Sequence, residues 1–520
     1  MRGFGVFTSV LIICSAPVLA QTDDNTPLSA IDWLSETVEQ PEVAVAAPVL
    51  GTQATRIPDA DEDPVAQSAT TPNVSVQTLG GPAPRALGIL APEITGLPVD
   101  IWENSAPDTI AALLMAQQVD TLPAVQDLIM TLSMSQANPP RLGSGDDAFF
   151  LARVDKLLDF GALERAQAML EAASPDTPAL FRRWFDVSLL TGTEDAACRE
   201  LQSRPDVAPT PSARVFCLAR SGDWSAAALT LNTGMALGDI DEDTGALLSR
   251  FLDPELFEEE PDLTPPDHTT PLTFRMFEAI GSPLSTQGLP RAFSHADLRA
   301  NVGWKAQLEA AERLARSGAI ANNALMGLYT ARVPAASGGV WERARAVDQL
   351  TTALTSEDEG AMNDALTRLW TEAQSVGVTV QMAQYFAPLM LDTGAVPADP
   401  LVFKFLLLSD RYEEAALNED LAITDPSLAA IARGGDFSNV GAERTQYPLV
   451  RGAFEAEPDA TLVEMASQGR TGEAILRNIA TLQQGIDGDA QAFQDGIATL
   501  RALGLEDAAR RISLQYLLLP

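Results

Sequence analysis

From about Ala106 onward, apolar residues recur three or four positions apart, the period of a helix that turns one face to a core. Trp304, Leu308, Ala311 and Leu314 share such a face. Met362, Leu366, Leu369, Trp370 and Ala373 repeat it, and so do Ile475, Ile479 and Leu482. Glu309 with Arg313, and Glu312 with Arg316, stand at i,i+4 and are expected to pair near the solvent side. Gly318 then closes that helix. Strand-like alternation is nearly absent, and β-branched residues do not cluster. The pattern predicts an all-α chain of helices about 10 to 18 residues long, joined by short loops. Helices this short are stable only when packed on one another.

A six-residue turn punctuates these helices. It reads Gly161-Ala-Leu-Glu-Arg-Ala166, Gly222-Asp-Trp-Ser-Ala-Ala227, Asp410-Arg-Tyr-Glu-Glu-Ala415, Gly469-Arg-Thr-Gly-Glu-Ala474 and Gly504-Leu-Glu-Asp-Ala-Ala509. Gly at the first position can take the left-handed conformation that ends a helix. The Ala five residues later is small enough for the next helix to pack close. Each copy therefore predicts a helical hairpin.

The turn resembles the middle of a tetratricopeptide repeat, where an aromatic residue and an Ala follow the inter-helix Gly. Gly222, Trp224 and Ala227 match best, while Asp410, Thr471 and Glu506 depart from the pattern. The copies are unevenly spaced, unlike a regular array of about 34 residues. The resemblance implies an irregular α-solenoid of stacked hairpins. It also implies a protein-binding scaffold, the usual role of that superfamily. As a whole the chain resembles exported proteins of alphaproteobacteria.

Residues 1–20 read as a signal peptide, with Arg2 before an apolar run from Val6 to Val18 and cleavage expected after Ala20. Cys14 follows Ile12 and Ile13 rather than the small residue that lipidation wants, so it reads as part of the apolar run. No later apolar run reaches the roughly 20 residues of a membrane span. Lysine appears only at Lys156, Lys305 and Lys404, a usage that fits a GC-rich genome and a Gram-negative periplasm. Residues 21–105 are rich in Pro, Ala and acidic residues and read as mostly disordered linker. Within them Leu28, Ile31 and Leu34, with Trp33 beside them, form a candidate partner-docking motif. A second apolar island ends at Trp102 and is expected to lie extended along the first helices, with Trp102 as anchor. Two helical-repeat regions then follow, 106–257 and 271–520, on either side of an acidic Pro-rich linker, 258–270.

In an exported chain Cys198 and Cys217 are expected to form a disulfide, because each lies in a helical stretch flanking one turn-rich loop. Closing that loop stabilises by about 3 kcal/mol. The net charge of -37 argues against nucleic-acid and anionic-membrane binding and permits a basic partner.

Candidate chemistry is sparse. Asp239, Asp241 and Asp243 have the spacing of a calcium loop, but Thr244 and Arg250 stand where that loop needs Gly and Glu. The stretch reads better as an acidic helix start capped by Asp243 or Thr244. Arg291, His295 and Asp297 gather around a helix start with Ser294 as its cap, too close in sequence to converge as a triad. Pro334 to Trp341 is a Gly-bearing loop opening onto a helix N-terminus, which reads as an ordinary loop rather than an anion site. No catalytic residue, cofactor site or metal site is assigned. The expected function is a periplasmic, non-catalytic scaffold that binds another envelope protein. The alternative is a cell-wall-turnover enzyme of the helical lytic-transglycosylase type, which would need a compact domain with an acid Glu. An ice-surface role would want a regular Thr face, which Thr351, Thr352, Thr355, Thr367 and Thr371 do not make.

Overall fold

The computed structural model describes residues 88–141, 148–356, 359–392, 396–435, 437, 441 and 446–520. The described chain is all-α, and its only β pairing is an isolated bridge from Leu90 to Ser135. The predicted faces are the buried ones: Leu308, Ala311, Leu314, Leu366, Leu369, Ile475, Ile479 and Leu482 all lie in the core.

Each of the five turns joins two helices. The Gly161 turn links Ala148–Phe160 to Leu163–Ala173, and the Gly222 turn links Pro211–Arg220 to Trp224–Leu237. The Asp410 turn links Pro400–Leu407 to Tyr412–Leu417. The last two precede Thr471–Ile486 and Glu506–Leu518. Gly161, Gly222, Gly469 and Gly504 have φ of 79°, 86°, 77° and 82°, the left-handed region that a Cβ disfavours. Ala166, Ala227, Ala415, Ala474 and Ala509 are all completely buried, where a larger side chain would push the paired helices apart.

Local hairpins do not account for the whole architecture. The first helices, Pro107–Met115 and Pro123–Met134, pack against Thr471–Ile486 and Glu506–Leu518. Polar contacts follow this seam. Gln117 Nε2 donates to Leu476 O at 3.2 Å, and Thr121 Oγ1 to Gln483 Oε1 at 2.5 Å. The Ala124 amide donates to Gln515 Oε1 at 2.8 Å. An open stack buries each repeat mainly on its neighbours; here the early and late helices share one core.

Trp102 is the anchor of that closure. Its ring meets Phe149 edge-on at 5.0 Å between centroids. Its other neighbour is Gly472, where a β-carbon would collide with the indole. The Gly472 amide also donates to Ile101 O at 2.9 Å. The island before Trp102 runs beside the first helices in part. The Ile89 and Leu90 amides donate to Met134 O, and the Gln136 amide to Leu90 O, while Pro92–Thr95 coils into a single helical turn.

The expected surface pairs around Trp304–Ala315 do not form. Glu312 is buried instead, held by Arg343 through Nε at 2.6 Å and Nη2 at 2.8 Å, with Tyr329 Oη at 2.6 Å. Arg313 turns to the carbonyls of Thr286 and Leu289, and Glu309 meets Lys305 at 3.5 Å. A bidentate guanidinium from another helix outcompetes a single solvated i,i+4 contact.

Candidate interaction surface

Most of the residues flagged for chemistry carry a structural contact, and the Arg291, His295 and Asp297 side chains do not converge. Arg291–Leu298 is a 3-10 helix that starts at Arg291, so Ser294 lies inside it and accepts from Arg313 rather than capping. His295 is buried, and its Nε2 donates to Gly161 O at 2.7 Å. Burial pushes its pKa below the ordinary value, against the pull of that carbonyl. Asp297 accepts from Thr286, and Arg291 pairs with Asp120 at 2.7 Å. In the acidic loop it is Asp241 that caps Glu242–Leu252, accepting from the Thr244 amide at 2.8 Å and from its hydroxyl at 2.7 Å. Asp243 and Thr244 already lie inside the helix, so neither is the cap. At the Pro334–Trp341 loop, the Gly338 amide donates to Glu342 Oε1 at 3.2 Å, so the chain's own carboxylate meets that helix start. Among the described residues no group of three or more His, Cys, Asp or Glu could hold a metal ion.

Several buried charges are held within the helix stack. Lys156 is almost fully buried and donates to Met115 O at 3.1 Å, Gln117 O at 2.8 Å and Asp159 at 2.9 Å, closing the end of the first helix. Arg153 donates to Ser133 O and Ser135 O, and burial lowers its pKa to about 10. Glu473 is fully buried between Arg470 and Arg477 at 2.7 and 2.9 Å. Burial pushes its carboxyl up, but the two guanidiniums outweigh that and leave it below its usual range. Burial pushes Asp186 up to about 7, opposed by Arg182 and Arg183.

One helix differs. Trp224–Leu237 carries no charged residue along its 14 positions, in a chain where 20% of residues are charged. Its inner side buries Ala227, Leu231 and Gly234, with Gly234 tight against Ile240. Trp224, 52% exposed, and Met235, 42%, lie on the flank beside Leu231, and Met235 also packs against Gly245. Leu229, 68% exposed, points outward, and Leu237, 72%, lies on the opposite flank. Asp223 caps the start through the Ala226 amide. Past the other end, Gly238 turns left-handed, and Asp239, Asp241, Glu242 and Asp243 follow, all exposed. Asp239, Glu242 and Asp243 make no ion pair among the described residues. The helix C-terminus adds its own partial negative charge there. The exposed side is thus uncharged, with Ser225, Asn232 and Thr233 among its apolar residues, and strongly acidic at one end.

The helix stands on a cross-linked base. Cys198 of Glu194–Ser203 and Cys217 of Pro211–Arg220 are joined in a disulfide, with Cα atoms 5.0 Å apart. Pro211–Arg220 is the helix on which Trp224–Leu237 packs. Arg220 reaches back to Asp195 at 2.5 Å.

A second acidic feature lies beyond the far end of Glu242–Leu252. Glu255, Glu258, Glu260 and Asp262 line a cavity of about 330 Å³ together with Arg250, whose Nη2 donates to Pro261 O at 2.8 Å. The motif Leu28, Ile31, Trp33 and Leu34 lies outside the described residues.

Sequence reasoning placed Trp224 in the aromatic slot of a repeat, where a core residue is expected, and so missed its exposure. The signal that marks the surface is the missing charge. No family model, curated protein or solved structure matches the chain. No helix among the described residues is long and apolar enough to cross a membrane.

Proposed function

We propose that the chain is an exported, non-catalytic interaction scaffold of a Gram-negative periplasm, built on degenerate tetratricopeptide-like hairpins, and that it binds another envelope protein. The observation that carries this reading is the uncharged, exposed outer side of Trp224–Leu237. Several exposed large apolar side chains on one uncharged helix mark an interaction surface more often than a single one does. Trp and Met are residue types favoured in the centres of such interfaces. The signal-like residues 1–20 and the Cys198–Cys217 disulfide support an oxidising compartment. The buried charges are consistent with a non-catalytic role, since Glu312, Glu473, Lys156 and Arg153 are each held by partners inside the stack.

The test places a photoreactive phenylalanine analogue at Trp224 and, as a control, at the exposed Val333. Irradiation of cells should give a discrete covalent adduct with an envelope protein from position 224 and none from 333. Equal labelling at both positions, or release of soluble fragments from purified peptidoglycan by the purified chain, would overturn the scaffold reading.

A further inference from the structure

We infer that residues 258–264 form a cleavage site for an endopeptidase that accepts acidic residues, and that the cut molecule stays assembled as two interlocked chains. Neither part depends on the scaffold reading. Access comes first. All of residues 253–268 except Phe257 and Leu263 are exposed. Pro261, Pro265 and Pro266 have no amide hydrogen. Among the described residues the amides of Asp262, Leu263, Thr264 and Asp267 donate to no other group. Arg250 holds the start of the stretch through Pro261 O at 2.8 Å and Glu260 at 3.3 Å, and Leu263 packs on the core. A segment with so few attachments lifts off at little cost, and such segments are where proteases nick folded chains.

Chemistry then selects the protease. No Lys or Arg stands between Arg250 and Arg275, so an enzyme that requires a basic residue finds no bond to cut. Glu258, Glu259 and Glu260 are consecutive and exposed. Pro261 follows Glu260, which leaves the bonds after Glu258 and Glu259 as the ones offered. Hydrolysis consumes one water there. The C–N bond breaks, the carbonyl carbon gains the hydroxyl and the nitrogen gains the hydrogen.

Contacts across the cut decide whether the molecule survives it. All three cysteines precede the site, so the Cys198–Cys217 disulfide does not join the fragments. Buried contacts do. Ser317 Oγ donates to Phe160 O at 2.7 Å, and Arg275 Nη2 to Glu194 Oε1 at 2.9 Å. His295 meets Gly161 O, and Gly472 lies against Trp102. Pro178–Thr191 and Glu242–Leu252 both pack on Pro271–Ala279. In each pair one partner stands before residue 258 and the other after residue 260.

The experiment digests the purified full-length chain with a glutamate-specific serine endopeptidase in native buffer, and mass spectrometry locates the cuts. The cut after Glu258 or Glu259 should form at a rate that changes less than about twofold up to about 1 M urea, because only local lifting is needed. Absence of that cut overturns the site, as does a rate that climbs in step with global unfolding. On gel filtration the two fragments should co-elute, with the helical circular dichroism unchanged. Fragments that elute separately overturn the interlocking. The thermal midpoint of the cut molecule should fall below that of the parent and rise with protein concentration, because unfolding now releases two chains. A midpoint that ignores concentration also overturns the interlocking.

Discussion

The Gly469 and Gly222 hairpins begin with the same turn and end in opposite situations. At Gly469 a β-carbon would meet Asn104 Nδ2 at 2.5 Å, and the helix that follows lies under Trp102. At Gly222 a β-carbon would meet nothing within 4 Å among the described residues, and the helix that follows shows Trp224, Leu229 and Leu237 to solvent. The first hairpin is covered by a segment more than 360 residues away in sequence, as the Asn104–Gln468 contact records. Among the described residues the second has no such cover, and it is held by a disulfide in the preceding helix pair. One turn motif thus serves both a sealed core and an open surface. What distinguishes them is whether a remote part of the chain is committed to that face.

The comparison can be broken most forcibly at Trp102. Trp102→Ala should destabilise by about 3–5 kcal/mol, because it empties a site packed between Phe149 and Gly472. Urea unfolding measures this, and a loss under about 1 kcal/mol would show that the seam contributes little. On the other hairpin, Cys198→Ala/Cys217→Ala should cost about 3 kcal/mol by the same measurement, with the chain still folded. Gly472→Ala should cost about 1–3 kcal/mol by crowding the indole. Combined with Trp102→Ala, that cost should largely vanish, since the two positions share one space.

The pH dependence should also sort the two regions. Glu473 has a folded pKa below its ordinary 4.5, so its contribution is present above that value and is lost as pH falls through the folded value. Between pH 6 and pH 3 the thermal midpoint of Glu473→Gln should therefore fall less than that of the parent. The smallest effect is expected at Trp224. Trp224→Ser should change stability by no more than about 0.5 kcal/mol, since the side chain is half exposed. A larger loss would mean that the open hairpin is sealed after all.

The turns were legible in the sequence because Gly and Ala at fixed positions report local backbone and close packing. Gly161, Gly222, Gly469 and Gly504 all adopt the left-handed conformation, and their partner alanines are buried. The disulfide was legible for the same reason, as two helices flanking one loop. The seam between early and late helices was not. Helical period says which face of Pro123–Met134 is apolar, but not that Gln515 will meet its first turn. Trp102 was recognisable as an anchor, while its site against Gly472 was not. The charge pairs around Glu312 failed for a related reason, since Arg343 arrives from another helix and local spacing cannot report it. The candidate surface was hidden because Trp224 occupies the same slot as Leu163 and Tyr412, both of which are buried.

The seam also bears on the birth of the molecule. A growing chain finishes Pro107–Met115 and Pro123–Met134 long before it reaches the helices that cover them. Thr121 and its partner Gln483 are 362 residues apart. At the usual speed of synthesis that is a wait of roughly 20 to 70 s. Through that interval Ile110, Leu114, Ile129 and Leu132 are without the late helices of their final core. The protein is thus exposed to misassembly during synthesis in a way that an open array, completed one repeat at a time, is not.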